Sequence, residues 1–249
     1  MKIFVCIKRV PDTEARIRIG SEGTSIDPAG IKFVMSPYDE FALEAALRLK
    51  ASIGEAEVVA LTVGDASSAE QLRSALAMGA DRAVRLEGTP DMDGLATSRA
   101  LAAELRDAGA DLVLMGMKAV DGDQQQVGPM TAELLGLPCI TVAAEILLED
   151  AAIVAHREAE GGIEIVEAPL PAVVTITKGP YEPRYPSLKG IMAAKKKPLD
   201  EKQAQLGTSR IRVHTLAPPP ERPAGRIVGH GADAVPELVR LLQQEAKVL

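Results

Sequence analysis

Short apolar runs alternate with helix-length segments through the first 140 residues, and that alternation confines the chain to few folds. Ile3 to Ile7 is apolar and short, the pattern of a buried strand. Ser36-Pro37-Tyr38-Asp39 predicts a helix start, with a capping serine, proline at the first helical position and an acid three residues after the cap. That helix should run to about Lys50. Glu57 to Val63 predicts a second strand, and Ser67 to Met78 a second helix stopped by Gly79. Ala83 to Leu86, Leu95 to Ala108 and Leu112 to Met115 supply strand, helix and strand; Gln126 to Leu135 is a short helix ended by Gly136. Repeated β-α-β units with right-handed crossovers imply a doubly wound, mostly parallel α/β sheet. Aromatic residues make up 2% of the chain and tryptophan is missing, so the core must be Ala, Val, Leu and Ile. Such a core suits a parallel sheet covered by helices.

Past Leu137-Pro138 the pattern changes. Ile140 to Leu148, Ala152 to His156, Ile163 to Val166 and Ala172 to Thr177 read as strands without intervening helices, with Gly161-Gly162 as a turn. From Pro198 to about Gly231 no period survives, and Pro218-Pro219-Pro220 with Pro223 cannot lie inside a helix or sheet. A last helix is expected from Val235 to Val248, with Val235, Leu238, Val239, Leu242 and Ala246 on one face. Two units follow: an α/β domain over 1–197, and an extended arm with a helix over 198–249. The arm packs either on its own domain or on a partner.

Between them lies Glu182-Pro183-Arg184-Tyr185-Pro186-Ser187-Leu188, continuing to Lys195-Lys196-Lys197-Pro198. Each proline pushes the residue before it out of the helical region. Ser187 can then cap a helix running to about Lys197, with lysines where the helix dipole favours positive charge. A rigid elbow, an exposed leucine and a basic helix end suit contact with another macromolecule.

Charge and motifs narrow the function. The net charge of −7, from 28 basic and 35 acidic residues, argues against nucleic acid as the partner. Cys6 and Cys139 fall in no disulfide or metal spacing, which fits a reducing, cytoplasmic setting. No stretch has the length of a membrane span, so no membrane insertion is expected. Neither a G-x-G-x-x-G after the first strand, a G-x-x-x-x-G-K-[ST] loop nor a G-x-S-x-G elbow occurs. Asp91-Met92-Asp93-Gly94 lacks the downstream glutamate of a calcium loop and reads as a plain loop. His156, His214 and His230 fall outside the helix-start loops, leaving no evident general base. Bond-breaking chemistry has little support, whereas a redox cofactor would need none of these groups.

In open parallel sheets ligands bind at the carboxyl ends of the strands, beside helix starts. Three loops qualify: Ser36 to Asp39, Thr62-Val63-Gly64-Asp65, and the long Gly116-Met117-Lys118-Ala119-Val120-Asp121-Gly122-Asp123-Gln124-Gln125-Gln126-Val127-Gly128-Pro129. Backbone N–H groups at such a helix start can cradle phosphate. Asp121 and Asp123 either accept from ribose hydroxyls or cap turns. The functional reading is a nucleotide site.

Three blocks together resemble the β subunit of electron transfer flavoprotein. The first is Ile7-Lys8-Arg9-Val10-Pro11-Asp12 with Met35 to Glu44; the second is Ala75 to Arg82 followed by the 116–129 loop; the third is Leu170-Pro171-Ala172-Val173-Val174-Thr175 running into 182–198. The resemblance implies a heterodimer with an α subunit that holds most of an FAD. The pair would take electrons from dehydrogenases, such as acyl-CoA dehydrogenases, and pass them to a quinone oxidoreductase or another acceptor. It would be an electron carrier and not a self-contained enzyme. It also implies AMP in the β subunit, held by Cys6, Ser36, Pro37, Tyr38, Asp39, Val63 and residues Gly116 to Val127, with Tyr38 near the flavin ring. Leu188 resembles the family's partner-recognition leucine, and Lys195 to Lys197 its basic tract, which would steer acidic partners or form a solvated helix end. Lys118 stands where many members have glutamine, and Thr13 where some have an aromatic residue. Asp121-Gly122-Asp123 with Gln126-Val127-Gly128-Pro129 is similar to the electron-bifurcating branch, which implies a second FAD in place of AMP. Two other classes remain beside this one: a stress-protein-like ATP-binding module, and a hydrolase or ligase of adenine nucleotides. The first leaves the 182–198 segment unexplained. The second expects a glycine-rich loop where Lys8-Arg9-Val10-Pro11-Asp12 stands.

Overall fold

A computed structural model describes residues 1–89, 92–205, 207–221 and 224–249. Asp91 and Pro223, singled out above, lie outside the described residues. In chain order the elements are β1 (Lys2–Cys6), β2 (Arg9–Pro11), β3 (Phe33–Met35), α1 (Pro37–Ile53), β4 (Glu57–Gly64), α2 (Ala69–Met78), β5 (Arg82–Glu87), α3 (Gly94–Ala108) and β6 (Leu112–Gly116). They continue with α4 (Val127–Leu135), β7 (Cys139–Glu149), β8 (Ala152–Ala159), β9 (Gly162–Pro169), β10 (Ala172–Ile176), α5 (Leu188–Ala194), β11 (Leu199–Gln203) and α6 (Val235–Leu241).

Nine strands form one sheet in the order β11-β5-β4-β1-β6-β10-β7-β8-β9, and β2 pairs with β3 apart from it. From β11 to β7 neighbouring strands run parallel, while β8 and β9 extend the edge as an antiparallel meander. The expected α/β class is therefore present, with the helices dividing between two faces.

The central strands read as unbroken apolar runs because each residue in turn enters a different core. Ile3, Val5 and Ile7 join Leu43, Ala46, Leu72 and Leu76 beneath α1 and α2. Phe4 and Cys6 join Leu101, Leu105 and Ala132 beneath α3 and α4. Leu112 and Leu114 against Val113 and Met115 repeat the division. Each fully buried Val, Leu, Ile, Phe or Met side chain among them contributes about 1.5–3 kcal/mol.

Three expectations change. Ser36 precedes α1 but does not cap it with its side chain. The residue is fully buried, and its hydroxyl turns toward the Lys118 carbonyl, 3.5 Å away. The helix after Ser187 ends at Ala194, short of the lysine run, because Arg73 takes the carbonyls of Ala194 and Lys197 and draws the chain away. Ser187 does cap it, accepting from the Gly190 N–H at 3.0 Å. Finally, residues 199–203, expected to open the arm, form an edge strand parallel to β5.

Beyond β11 the described chain has no regular structure until residue 232. Asp93 holds part of it, accepting from the N–H groups of Arg210 and Ile211. Farther on, no residue of α6 is buried, and Val235, Leu238 and Val239 stand exposed.

Candidate functional site

Strand order sets the place of the site. The chain winds outward from β1 through β4 to β5, then crosses to β6 on the other flank of β1. Between β1 and β6 the crossovers on either side depart to opposite faces of the sheet, which opens a crevice at the carboxyl ends of those strands. Asp39, in the first turn of α1, closes the bottom of this crevice. Its Oδ2 accepts from the Lys8 N–H at 2.8 Å and its Oδ1 from the Gly116 N–H at 2.9 Å. One carboxyl group thus joins the exits of β1 and β6. Burial pushes its pKa up to about 7, against the opposing pull of those two N–H donors. The same burial, with Asp39 nearby, pushes the Cys6 thiol upward, so Cys6 is a neutral wall and not a nucleophile.

Gly116 has a steric reason at this point. A Cβ there would lie 2.4 Å from Asp39 Oδ1 and 2.8 Å from the Tyr38 backbone. Beyond it, the Met117 N–H donates to the Ile176 carbonyl, so the loop leaves over β10. Ala119 accepts from the N–H groups of Gly122 and Asp123, which folds the crest back on itself. Asp123 and Gln125 adopt left-handed backbone, with φ of 50° and 54°. The loop ends where the Ser98 hydroxyl donates to the Val127 carbonyl at 3.3 Å and Gly128 packs against Thr175.

The two aspartates of the crest form ion pairs. Lys8 Nζ donates to both oxygens of Asp121, at 2.9 and 2.8 Å, and Lys118 Nζ lies 2.9 Å from Asp123. Hydrogen bonding to Asp123 raises the Lys118 pKa, and its ammonium sits 5.9 Å from the Tyr38 ring centroid. A Cβ placed on Gly122 would meet only Gln124 Cγ, at 3.9 Å, an ordinary contact. Of the expected site residues, Cys6, Ser36, Tyr38, Asp39, Gly116, Lys118, Asp121 and Asp123 are tied to one another, directly or through Lys8, by these contacts. Pro37 comes with the start of α1. Val63 stands at the end of β4, which Thr62 fastens to the Ile7 carbonyl at 2.8 Å. Met117, Ala119, Val120 and Val127 are half-buried within the loop, while Gly122, Gln124 and Gln125 are exposed. Gln126 turns toward the start of α3, where a Cβ on Gly94 would come within 2.8 Å of its side-chain nitrogen.

Lys8 is the residue that sequence reasoning missed. It stood in the first block of the resemblance and in a segment lacking glycine, with no role of its own, and its partner Asp121 is 113 positions away. Among the described residues no cluster of three or more His, Cys, Asp or Glu is arranged to hold a metal. Nor is any described helix long and apolar enough to cross a membrane.

Some distance along the chain, Leu188 is 85% exposed and Tyr185 94%. An ordinary core leucine is therefore excluded at 188. Lys197 faces inward, its ammonium 3.0 and 2.6 Å from the carbonyls of Leu76 and Ala80, and burial lowers its pKa. It ends α2 and is not available to steer a partner; Lys195 and Lys196 are exposed.

Comparison with known proteins identifies relatives along most or all of the chain. A family model described as the electron transfer flavoprotein domain matches residues 24–206. An electron transfer flavoprotein subunit beta of Bacillus subtilis (strain 168) is 39% identical over 260 residues, covering 100% of both chains. The subunit of the same name from Bradyrhizobium diazoefficiens is 38% identical, again over 100% of both. That of Homo sapiens is 39% identical over 246 residues, 96% of each chain. With the family model covering residues 24–206 and these relatives matched over 96–100% of the chain, the chain belongs to the electron transfer flavoprotein β-subunit family.

Proposed function

We propose that this chain pairs with an α subunit as the β half of an electron transfer flavoprotein, accepting electrons from dehydrogenases and delivering them to a quinone oxidoreductase or another acceptor. The observation that carries the reading is the convergence of the α1 start and the 116–127 loop on the β1/β6 crevice, in a chain of this family. FAD, held mostly by the α subunit, supplies the reversible uptake of electrons. The residues here fit an adenine nucleotide in the β subunit. Cys6, Val63 and Met117 offer apolar surface for a base, whereas Lys118, Asp121 and the glutamines of 124–126 offer partners for ribose and phosphate, and the buried Ser36 would brace the Lys118 backbone behind them. At the exposed Gly122 an added Cβ would meet nothing nearer than Gln124 Cγ at 3.9 Å, so a diphosphate could approach the backbone there. That same glycine supports a second reading, in which the β site takes a whole FAD and the complex bifurcates electrons.

Leu188 serves in this reading as an apolar anchor for a dehydrogenase such as an acyl-CoA dehydrogenase. The arm and α6, whose apolar residues are uncovered, pack on the α subunit. Nothing in the chain by itself turns over substrate; it binds, orients and shields.

The test is made on the complex purified with its co-expressed α subunit. After denaturation the released nucleotides are identified by chromatography and mass spectrometry. One FAD and one AMP per pair establish the single-flavin carrier. Two FAD and no AMP establish the bifurcating form. A colourless, stable monomer carrying ATP overturns both. In the same complex, Leu188→Ala should slow reduction at limiting dehydrogenase while flavin content holds; an unchanged rate removes Leu188 from the contact.

A further inference from the structure

Helix α1 carries a second buried acid that plays no part in the crevice. Glu44 lies five residues beyond Asp39, and its side chain is 4% exposed. Arg184 grips it with two prongs: Nε donates to Oε2 at 2.7 Å and Nη2 to Oε1 at 2.9 Å. The Arg184 backbone N–H adds a third contact to Oε2, at 3.3 Å, and Arg48 Nε donates to Oε1 at 3.0 Å. Burial raises the Glu44 carboxyl, but the arginine bonds outweigh it and hold the group below the usual carboxylate range. Arg48 also lies over the Tyr181 ring, 4.5 Å from its centroid. The approach to the elbow is thus gripped on both sides of Pro183.

The far end of the segment is fastened as firmly. Arg73 of α2 donates to the carbonyls of Ala194 and Lys197, while Lys197 donates to those of Leu76 and Ala80. Each helix supplies, or is followed by, the cation that closes the other's carboxyl end. Gly190 lets the two backbones touch, since a Cβ there would lie 2.4 Å from the Ala77 carbonyl oxygen. Between these two anchorages Tyr185, Leu188 and Met192 face solvent. An apolar anchor on a mobile loop loses affinity to the cost of ordering; one already fixed does not.

We propose that Arg184, forked onto Glu44, is a positioning residue for partner recognition, fixing the Pro183–Pro186 elbow so that Leu188 holds its contact geometry before a partner arrives. This rests on the reading of Leu188 as the partner contact. Lysine keeps the charge but cannot reproduce the planar fork, so Arg184→Lys should restore only part of the effect.

The experiment uses the intact heterodimer, with a purified acyl-CoA dehydrogenase kept reduced by its acyl-CoA substrate. Arg184→Ala should raise the KM for the dehydrogenase about tenfold, from the loss of a charge-assisted double hydrogen bond, with kcat and FAD content unchanged. Amide exchange across 182–194 should quicken in Arg184→Ala, less in Arg184→Lys, and not in Leu188→Ala. If Leu188→Ala raises KM while Arg184→Ala and Arg184→Lys do not, the positioning role is overturned and the contact stands. If amide exchange over 182–194 is the same in wild type and Arg184→Ala, the role is likewise overturned. If no variant changes KM, the contact itself fails and the proposal with it.

Discussion

The 116–127 loop and the 182–197 segment both leave the same α/β body, yet they are held in different ways. The loop is fixed at its root by Asp39, buried between two strand ends. Its crest is held by ion pairs of exposed or half-exposed side chains, Lys8 with Asp121 and Lys118 with Asp123. Pairs of that kind are individually weak and easily exchanged. The 182–197 segment is gripped at both ends through buried or backbone acceptors and has its apolar residues facing out. A loop that admits a ligand needs contacts the ligand can replace. A segment that presents an anchor needs contacts that nothing replaces.

Removing the root of the loop should have the largest effect. Asp39→Ala leaves two part-buried N–H groups, those of Lys8 and Gly116, without an acceptor. Their desolvation costs roughly 2–6 kcal/mol, a fall in Tm on the order of 10 °C for a chain of this size. Differential scanning calorimetry of the heterodimer measures it. A fall of only a degree or two would show that the crest, and not the root, holds the loop.

Gly190→Ala tests the other region. The added Cβ must push α5 off the Ala77 carbonyl, at a cost of about 1–3 kcal/mol. The expected result is a weaker dehydrogenase interaction with the β-site nucleotide fully retained after dialysis. Loss of nucleotide from this variant would mean that the two regions are not independently held.

What the sequence made legible follows from where burial is two-sided. β1, β4, β6 and β10 were plain as apolar runs because both faces are covered. β11 was not, since Leu199-Asp200-Glu201-Lys202-Gln203 joins the sheet by backbone pairing with four of its five side chains exposed. β2 and β3, at three residues each, are too short to show a period. At the site, the Ser-Pro-Tyr-Asp pattern marked the right helix start for a partly wrong reason. Spacing suggested local capping, but burial diverts the Ser36 hydroxyl to Lys118 and the Asp39 carboxylate to Lys8 and Gly116. Lys8 with Asp121, and Glu44 with Arg184, are separated by 113 and 140 positions, and neither residue of either pair belongs to a local motif that would reveal its partner.

A pH series gives a smaller but directional effect. The folded-state pKa of Asp39 is raised by burial to about 7, above its ordinary value of 3.8. Its contribution to stability is therefore full at acid pH, declines as pH rises from about 4 to about 7, and is constant above that. Asp39→Asn has no such titration. The Tm advantage of wild type over Asp39→Asn should accordingly be wider at pH 5 than at pH 8. A gap that widens with pH would show that the two N–H donors outweigh burial and keep the carboxyl anionic.

The smallest effect on stability should come from the crest. Lys8 is 55% exposed and Asp121 29%, so their pairing contributes about 0–1 kcal/mol and weakens with salt. Asp121→Asn should lower Tm by no more than about 3 °C. Its consequence should appear in ligand retention, because in the proposed nucleotide site the same carboxylate accepts from a ribose. Dialysis of the heterodimer followed by nucleotide quantification separates the two roles. Faster loss of the β-site nucleotide with Tm nearly unchanged marks a contact made for the ligand. A Tm drop rivalling that of Asp39→Ala, with nucleotide retained, would make the Lys8–Asp121 pair part of the scaffold and erase the distinction between crest and root.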